Sequence, residues 1–145
     1  MAARLRTGWA GLLASPGGPS KVARGIGAGA FAAMLPAFGL HLIFAATAAF
    51  LVRGSLPAAG AACVLFGNPL THAILIPLEY EIGRLLMPGH GPHWIPKHGP
   101  AWLIQALPAG EHLALGGLLV GAVVGPLAYA VARWAVRKQA TASPL

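Results

Sequence analysis

From Ile26 to Val52 the sequence contains no charged residue, but Pro36 interrupts this apolar run near its middle. As a single helix the run would be roughly 40 Å long, enough to cross the hydrocarbon core of a bilayer with some tilt. A proline at that depth frees the carbonyl four residues earlier, and in hydrocarbon that carbonyl needs a new partner. We therefore expect a transmembrane helix at 22–52 that is kinked at Pro36 and covered there by other parts of the protein.

The composition also indicates a membrane protein. Hydrophobic residues make up 57% of the 145 residues, charged residues make up 9%, and the mean hydropathy is +0.69. A soluble chain of this length could not bury three apolar stretches in one core. The net charge of +7 does not indicate nucleic acid, because the Lys and Arg residues lie mostly at the ends of apolar runs, where they orient membrane helices. We predict an all-α integral membrane protein.

A second break lies at Asn68-Pro69, within a segment that we expect to be a re-entrant helical hairpin at 57–86. Pro57 suits the first turn of a helix, and this helix would stop at Asn68 after about 15 Å, half the hydrocarbon thickness. A second helix would begin at Thr71. The predicted hairpin lies between two transmembrane helices.

Charged residues return at the end of this hairpin. Glu79, Glu81 and Arg84 are expected to mark the return to water, with Glu81 and Arg84 close enough on one helix face to pair. Residues 87–110 are rich in Pro, Gly and His, which predicts a loop followed by an interfacial helix.

A second transmembrane helix is predicted at 112–134, because this stretch is apolar and ends in basic residues. Small residues recur every four positions on one face of each predicted span, which lets another helix approach closely. These helix-packing residues are Gly25, Gly29 and Ala33 in the first span and Gly117, Gly121 and Gly125 in the last. Either the two faces pack on each other, or one of them meets a neighbouring subunit.

The predicted organisation is a cytoplasmic or interfacial segment at 1–19, one membrane domain at 20–135 and a tail at 136–145. Basic residues flank both predicted spans on their outer sides, so both termini should be cytoplasmic in a multi-pass inner-membrane protein. A rival arrangement makes the first stretch a second hairpin, with tips at Pro36 and Pro69. That arrangement is a possible degenerate repeat, and it leaves one crossing.

Four motifs in order, ARGIGAGAF, MLPAFGLH, RGSLPAA and FGNPLT, make this chain resemble a bacterial membrane family known as domain of unknown function 2062. The likeness covers about residues 20–86. The family typically has Gln and Asn where this chain has His41 and Ser55. The resemblance implies a helical membrane fold, and it implies no particular activity.

Polar groups near the two breaks are the candidate site. The helix-break and polar cluster comprises Pro36, Gly39, His41, Asn68, Pro69 and Thr71, with His72 beside it. Polar residues at membrane depth usually face protein or a water-filled cavity. The alternative for Asn68 is a structural cap that satisfies backbone groups freed by the break.

Neither a metal nor a cofactor is predicted. His90, His93 and His98 lie in one loop, but no cysteine or aspartate joins them as a fourth ligand. Ala37 and His41 have the spacing that lets a haem or chlorin approach a helix, which makes His41 the candidate ligand, but one histidine is more simply explained by a hydrogen bond to the nearby break.

The sequence offers no catalytic set, because its acidic residues are three glutamates and no serine or cysteine lies beside a base. We therefore expect a non-enzyme. One hypothesis is an accessory or assembly subunit of a larger membrane complex, with the bilayer and other membrane subunits or its own copies as partners. The alternative is a transporter-like protein that handles lipids or small solutes at a broken-helix site at mid-membrane.

Overall fold

The computed structural model describes residues 17–37, 39–88 and 99–141, and this part of the chain forms five α-helices. They are α1 (Gly18–Ala33), α2 (His41–Leu51), α3 (Leu56–Phe66), α4 (Pro69–Leu86) and α5 (Ala101–Thr141). The predicted all-α fold is confirmed. The predicted segment 1–19 lies almost wholly outside the described residues, and residues 136–141 of the predicted tail continue α5.

The break between α1 and α2 is a tight turn. Because Pro36 has no N–H, the helical hydrogen bonds cannot continue, and the N–H of Ala37 donates instead to the carbonyl of Leu35 at 2.8 Å. Gly39 adopts a φ of +83°, a left-handed conformation that glycine accepts without strain. The N–H of Leu40 then closes the turn on the carbonyl of Ala37 at 2.8 Å.

After this turn α2 returns alongside α1. At the open end of the pair, Arg24 Nη2 donates to the carbonyl of Arg53 at 3.1 Å, and the N–H of Ser55 donates to the carbonyl of Lys21 at 2.9 Å. The first apolar stretch is therefore a helical hairpin. The prediction of one kinked crossing at 22–52 is wrong, because the chain reverses direction at the proline instead of bending and continuing.

Small residues allow this return. Ala45 and Ala49 of α2 are completely buried, and they join a core that contains Ala28 and Ala32 of α1. Alanine side chains let two helix backbones approach closely, so the hairpin packs along its length.

Helices α3 and α4 meet at Gly67 and Asn68, where their axes bend by 77°. Together they are long and apolar enough to cross a membrane, and the bend fits either a broken span or a re-entrant loop. The predicted break at Asn68-Pro69 is present.

Helix α5 is continuous from Ala101 to Thr141 and includes Pro108 and Pro126 in its interior. The prediction of a separate interfacial helix within 87–110, followed by a span at 112–134, is corrected: the residues from Ala101 onward belong to α5 itself. A proline inside a long apolar helix removes only one backbone hydrogen bond, which neighbouring groups can replace. In the described part of the chain, α5 is the one unbroken helix that is long and apolar enough to cross a membrane, from Leu107 to Lys138. In place of the two predicted transmembrane helices, the structure has one clear membrane-span candidate and one bent pair that could form a second.

The two glycine faces do not pack on each other. On α1, a Cβ added to Gly25 or Gly29 would collide with the backbone of Ser55 or Ala59, at the start of α3 and within it. Three glycines of α5 instead lie against successive positions on another face of α1. These pairs are Gly125 with Gly27, Gly121 with Phe31 and Gly117 with Met34. Helix α1 therefore lies between α3 and α5, and α5 runs antiparallel to it.

Small side chains fill the interior of the bundle, and large apolar side chains lie on its surface. Val22 and Cys63 are the largest fully buried side chains among the described residues. Phe50, Leu65 and Leu85 are each at least 70% exposed. This distribution is the reverse of that in a soluble globular protein.

Candidate functional site

The first helix break is stabilised by a histidine. The ring N–H at Nε2 of His41 donates to the carbonyl of Leu35 at 2.9 Å, and the same carbonyl also accepts from the N–H of Ala37. The imidazole therefore satisfies a backbone group at the break, which is the simpler role that the sequence indicated for it.

The second break is closed by a reciprocal cap. Asn68 Oδ1 accepts from the N–H groups of Leu70 at 3.0 Å and Thr71 at 3.1 Å, and Asn68 Nδ2 donates to the carbonyl of Leu65 at 2.8 Å. Thr71 Oγ1 in turn accepts from the N–H of Asn68 at 3.2 Å and donates to the carbonyl of Phe66 at 2.6 Å. Asn68 and Thr71 thus form a capping box that joins α3 to α4.

The two breaks lie beside each other. The rings of His41 and His72 meet edge to face, with centroids 5.4 Å apart and planes at 86°. Next to them is a cavity of about 540 Å³, which we call the histidine cavity. Its walls come from both breaks and from the first two turns of α4. The lining residues are Gly39, His41, Gly67, Pro69, His72, Ala73 and Ile76.

The structure divides the predicted polar cluster into three parts. Gly39, His41 and Pro69 line the histidine cavity. Asn68 and Thr71 use their side chains in the cap of α4. Pro36 lies elsewhere, with its Cδ 3.1 Å from the position that a Cβ on Gly117 of α5 would occupy.

A buried carboxyl group lies at the contact between α4 and α5. Glu79 is only 3% exposed, and its Oε1 has no hydrogen-bond partner among the described residues. Its Oε2 lies 3.5 Å from the Cβ position of Gly117, close to the break at Met34. The expectation that Glu79 marks the return to water is wrong, because the close approach of α5 covers it.

This close approach depends on two glycines that the sequence analysis did not single out. The carbonyl of Glu79 occupies the space that a Cβ on Gly116 would need, and the carbonyl of His112 does the same for Gly83. The ring of His112 meets the ring of Tyr80 edge to face at 5.5 Å, and its Nδ1 is buried without a partner in the described structure. The sequence contains a signal for this contact. Glu79 and Gly83 are four residues apart on α4, and His112 and Gly116 are four residues apart on α5, so each glycine can face the other residue type across two antiparallel helices.

The other expectations near this region have mixed outcomes. Glu81 and Arg84 form an exposed ion pair at 2.6 Å, so their predicted pairing is confirmed. His90 and His93 lie outside the described residues, as does His98. Among the residues that are described, no three His, Cys, Asp or Glu side chains are grouped closely enough to hold a metal ion.

The histidine cavity combines imidazole groups with a largely apolar wall. Two imidazoles line the histidine cavity, and the remaining walls are apolar or glycine. Cys63, the single thiol, is buried in the core and does not line that cavity, although its carbonyl accepts the N–H of the lining residue Gly67 at 2.7 Å. Geometry of this kind suits recognition of a ligand by shape and hydrogen bonding.

The fold and site thus define a small helical bundle with one clear membrane-span candidate and two helix breaks that meet at a cavity. The chain belongs to the family described as "uncharacterized protein conserved in bacteria (DUF2062)", whose model matches residues 3–143. The resemblance seen in the four sequence motifs is confirmed. Neither the curated proteins nor the solved structures include a significant match.

Proposed function

We propose that this protein is a bacterial inner-membrane protein that crosses the bilayer twice, once with the bent pair α3–α4 and once with α5. The large exposed side chains such as Phe50, Leu65 and Val131 support this, because lipid is the environment that stabilises an apolar exterior around a core of small residues. The hairpin α1–α2 would then enter from one side and return to it.

The charge distribution supports an orientation with both termini in the cytoplasm. Lys21 and Arg24 lie at the open end of the α1–α2 hairpin, because Arg24 donates to the carbonyl of Arg53 and the carbonyl of Lys21 accepts from the N–H of Ser55. Because α5 runs antiparallel to α1, Arg133 lies at this same end. The positive-inside rule assigns such an end to the cytoplasm. The bent pair would cross to the far side, and α5 would return.

Within this arrangement, we propose that the histidine cavity handles a small solute or lipid group at about mid-membrane. The observation that carries this proposal is the contact between His41 and His72, which places both helix breaks at one cavity. Broken helices at membrane depth commonly line binding sites, because the freed backbone groups must face protein or a polar ligand. The protein acts here by binding and passage, without a chemical reaction.

Reconstitution into liposomes tests the proposal. We expect the purified protein to raise either the flux of glycerol or inorganic phosphate, or the scrambling of a fluorescent phospholipid, above that of empty vesicles. His72→Ala should reduce that activity at least tenfold. Thr47→Val serves as the control, because Thr47 is exposed on α2 and bonds only within its own helix. If all three preparations match empty vesicles, the proposal is wrong.

The second candidate is an accessory subunit of a larger membrane complex. Two predicted glycine faces that a partner helix could use favour this role. Gly25 and Gly121 instead contact other helices of the same chain. A stoichiometric membrane partner in a native pull-down would still favour this second candidate over the first.

A further inference from the structure

A second cavity lies at the opposite end of α1 from the helix break. It is an open groove of about 690 Å³ between α2 and α5, with α1 as its floor. Phe31, Leu51, Val52, Ala122 and Pro126 contribute to its apolar lining. We call it the α2–α5 groove. Its walls are suited to a hydrocarbon chain, because they offer dispersion contacts and almost no polar group.

A guanidinium group lies at one end of this groove. Arg24 lines it, and its Nη2 is held by the carbonyl of Arg53 at 3.1 Å. The Nε of Arg24 is buried and has no hydrogen-bond partner among the described residues. A guanidinium that is fixed in place at the end of an apolar groove is suited to a phosphate, which accepts charge-assisted hydrogen bonds from such a group.

More positive charge surrounds the same end. Tyr129 lines the groove near Arg24, and its hydroxyl accepts a hydrogen bond from Nη1 of Arg133. Lys21 lies one turn before Arg24 on α1. The apolar groove therefore ends at a basic cluster. This arrangement is expected of a site that binds both an acyl chain and an anionic head group.

No acidic side chain of the protein lies in this basic cluster. The only acidic residues in the sequence are Glu79, Glu81 and Glu111. The first two are on α4, and Glu111 is about six turns of α5 before Arg133. A lipid with a positively charged amine would find no carboxylate partner there, whereas an anionic lipid would gain attraction from each basic residue.

From this geometry we infer that the α2–α5 groove binds an anionic phospholipid of the surrounding leaflet, with its phosphate on Arg24 and one acyl chain along α1. The inference goes beyond the proposed function. It concerns a different cavity, and it would stand if the histidine cavity carried no flux.

Native mass spectrometry in mild detergent measures this binding directly. Dioleoyl phosphatidylglycerol and dioleoyl phosphatidylcholine have identical chains, so their comparison isolates the head group. We expect the unmodified protein to bind phosphatidylglycerol at least fivefold more tightly. Arg24→Gln should remove about a fivefold share of this preference, the amount expected for one basic residue near a membrane surface.

Two further variants distinguish binding in the groove from nonspecific attraction of the lipid by positive charge. Arg137→Gln makes the same charge change at the same end of the bundle but outside the groove, and it should alter the preference by less than about twofold. Ala122→Phe fills the groove from an exposed position and leaves Arg24 in place, so it should weaken binding of both lipids.

Three results would overturn the inference. The first is equal binding of both lipids by the unmodified protein. The second is an equal loss with Arg137→Gln and Arg24→Gln, and the third is unchanged binding by Ala122→Phe. If Arg24→Gln does not fold, Ala122→Phe decides the matter alone.

Discussion

The ring of His72 stands edge-on to the ring of His41, and each ring also bonds to a carbonyl at its own helix break. His41 Nε2 lies 2.9 Å from the carbonyl oxygen of Leu35, and His72 Nδ1 lies 3.2 Å from that of Asn68. The two breaks are thus joined through their histidines. Because the two rings are packed against each other, a displacement of one break should also displace the other.

The cap at the second break makes the first prediction. Asn68→Ala removes both the acceptor for the first turn of α4 and the donor to Leu65, so we expect a loss of about 1–2 kcal/mol in the free energy of unfolding. Asn68→Asp keeps the acceptor and should lose less. Thermal unfolding in detergent measures both variants. Equal stability of the alanine variant and the unmodified protein would contradict the cap.

The contact between α4 and α5 makes the second prediction. A methyl group at Gly116 would overlap the carbonyl of Glu79, which is backbone and cannot rotate away. Gly116→Ala should therefore separate the helices and destabilise the protein by about 1–3 kcal/mol or more.

The matched control for that variant is Gly60→Ala. Gly60 lies inside α3, and nothing lies within 4 Å of its Cβ position. The same substitution should there stabilise the protein by about 0.5–1 kcal/mol, because alanine favours the helix. If Gly116→Ala raises the melting temperature as Gly60→Ala does, the close contact at Gly116 is not present in the protein.

Local sequence signals located the breaks but did not determine the path of the chain after them. Pro36 predicts a lost hydrogen bond whether the helix bends by a few degrees or reverses. The reversal depends on Ala45 and Ala49 fitting against α1, which is a contact between residues distant in sequence. Asn68, Pro69 and Thr71 were more informative, since a capping box is a local structure that the sequence specifies by itself.

The candidate site was predictable in part for the same reason. His41 lies next to a visible break, whereas the burial of Glu79 follows from the position of α5, more than thirty residues further along the chain. A glutamate two residues before the Glu81–Arg84 pair gives no local sign that another helix covers it. The one signal in the sequence is that Glu79 and Gly83 have the same four-residue spacing as His112 and Gly116.

The topology makes the third prediction. In a Cys63→Ala background, single cysteines at Leu56 and Gly99 should label differently with a membrane-impermeant maleimide added to cells with a permeabilised outer membrane. In the proposed orientation the hairpin places Leu56 at the basic end on the cytoplasmic side, so it should be protected, and Gly99 should react. Both positions should react once the inner membrane is opened. Labelling of the cysteine at position 56 while the inner membrane is still closed would instead support a single kinked crossing at 22–52.

The buried carboxyl makes the fourth prediction. Glu79→Met replaces a side chain whose Oε1 has no partner in the described part of the chain with an apolar one of similar length. Removing an unsatisfied buried polar group should raise the free energy of unfolding by about 1–3 kcal/mol. Glu81→Met, at an exposed position, should change it by less than about 0.5 kcal/mol. A destabilised Glu79→Met variant would mean that the carboxyl has a partner in the membrane.

The last prediction concerns the contact between α1 and α5. A Cβ on Gly121 would lie 3.0 Å from Cδ2 of Phe31 and 3.1 Å from its carbonyl oxygen. Gly121→Leu should therefore destabilise the monomer itself by about 1–3 kcal/mol, because the clash is internal to the chain. Val123→Leu changes an exposed position on the same helix and should have little effect.

A double substitution identifies the partner. If the leucine at position 121 collides with the ring of Phe31, then Phe31→Ala should make room for it, and the two losses should sum to more than the loss in the double variant. A coupling free energy of about 0.5–3 kcal/mol is expected for residues in direct contact. A monomer that keeps its melting temperature in Gly121→Leu while an oligomer dissociates on native gels would instead place this glycine at an interface between subunits. The internal contact instead predicts a lower melting temperature of the monomer, because Phe31 of the same chain occupies the space beside Gly121.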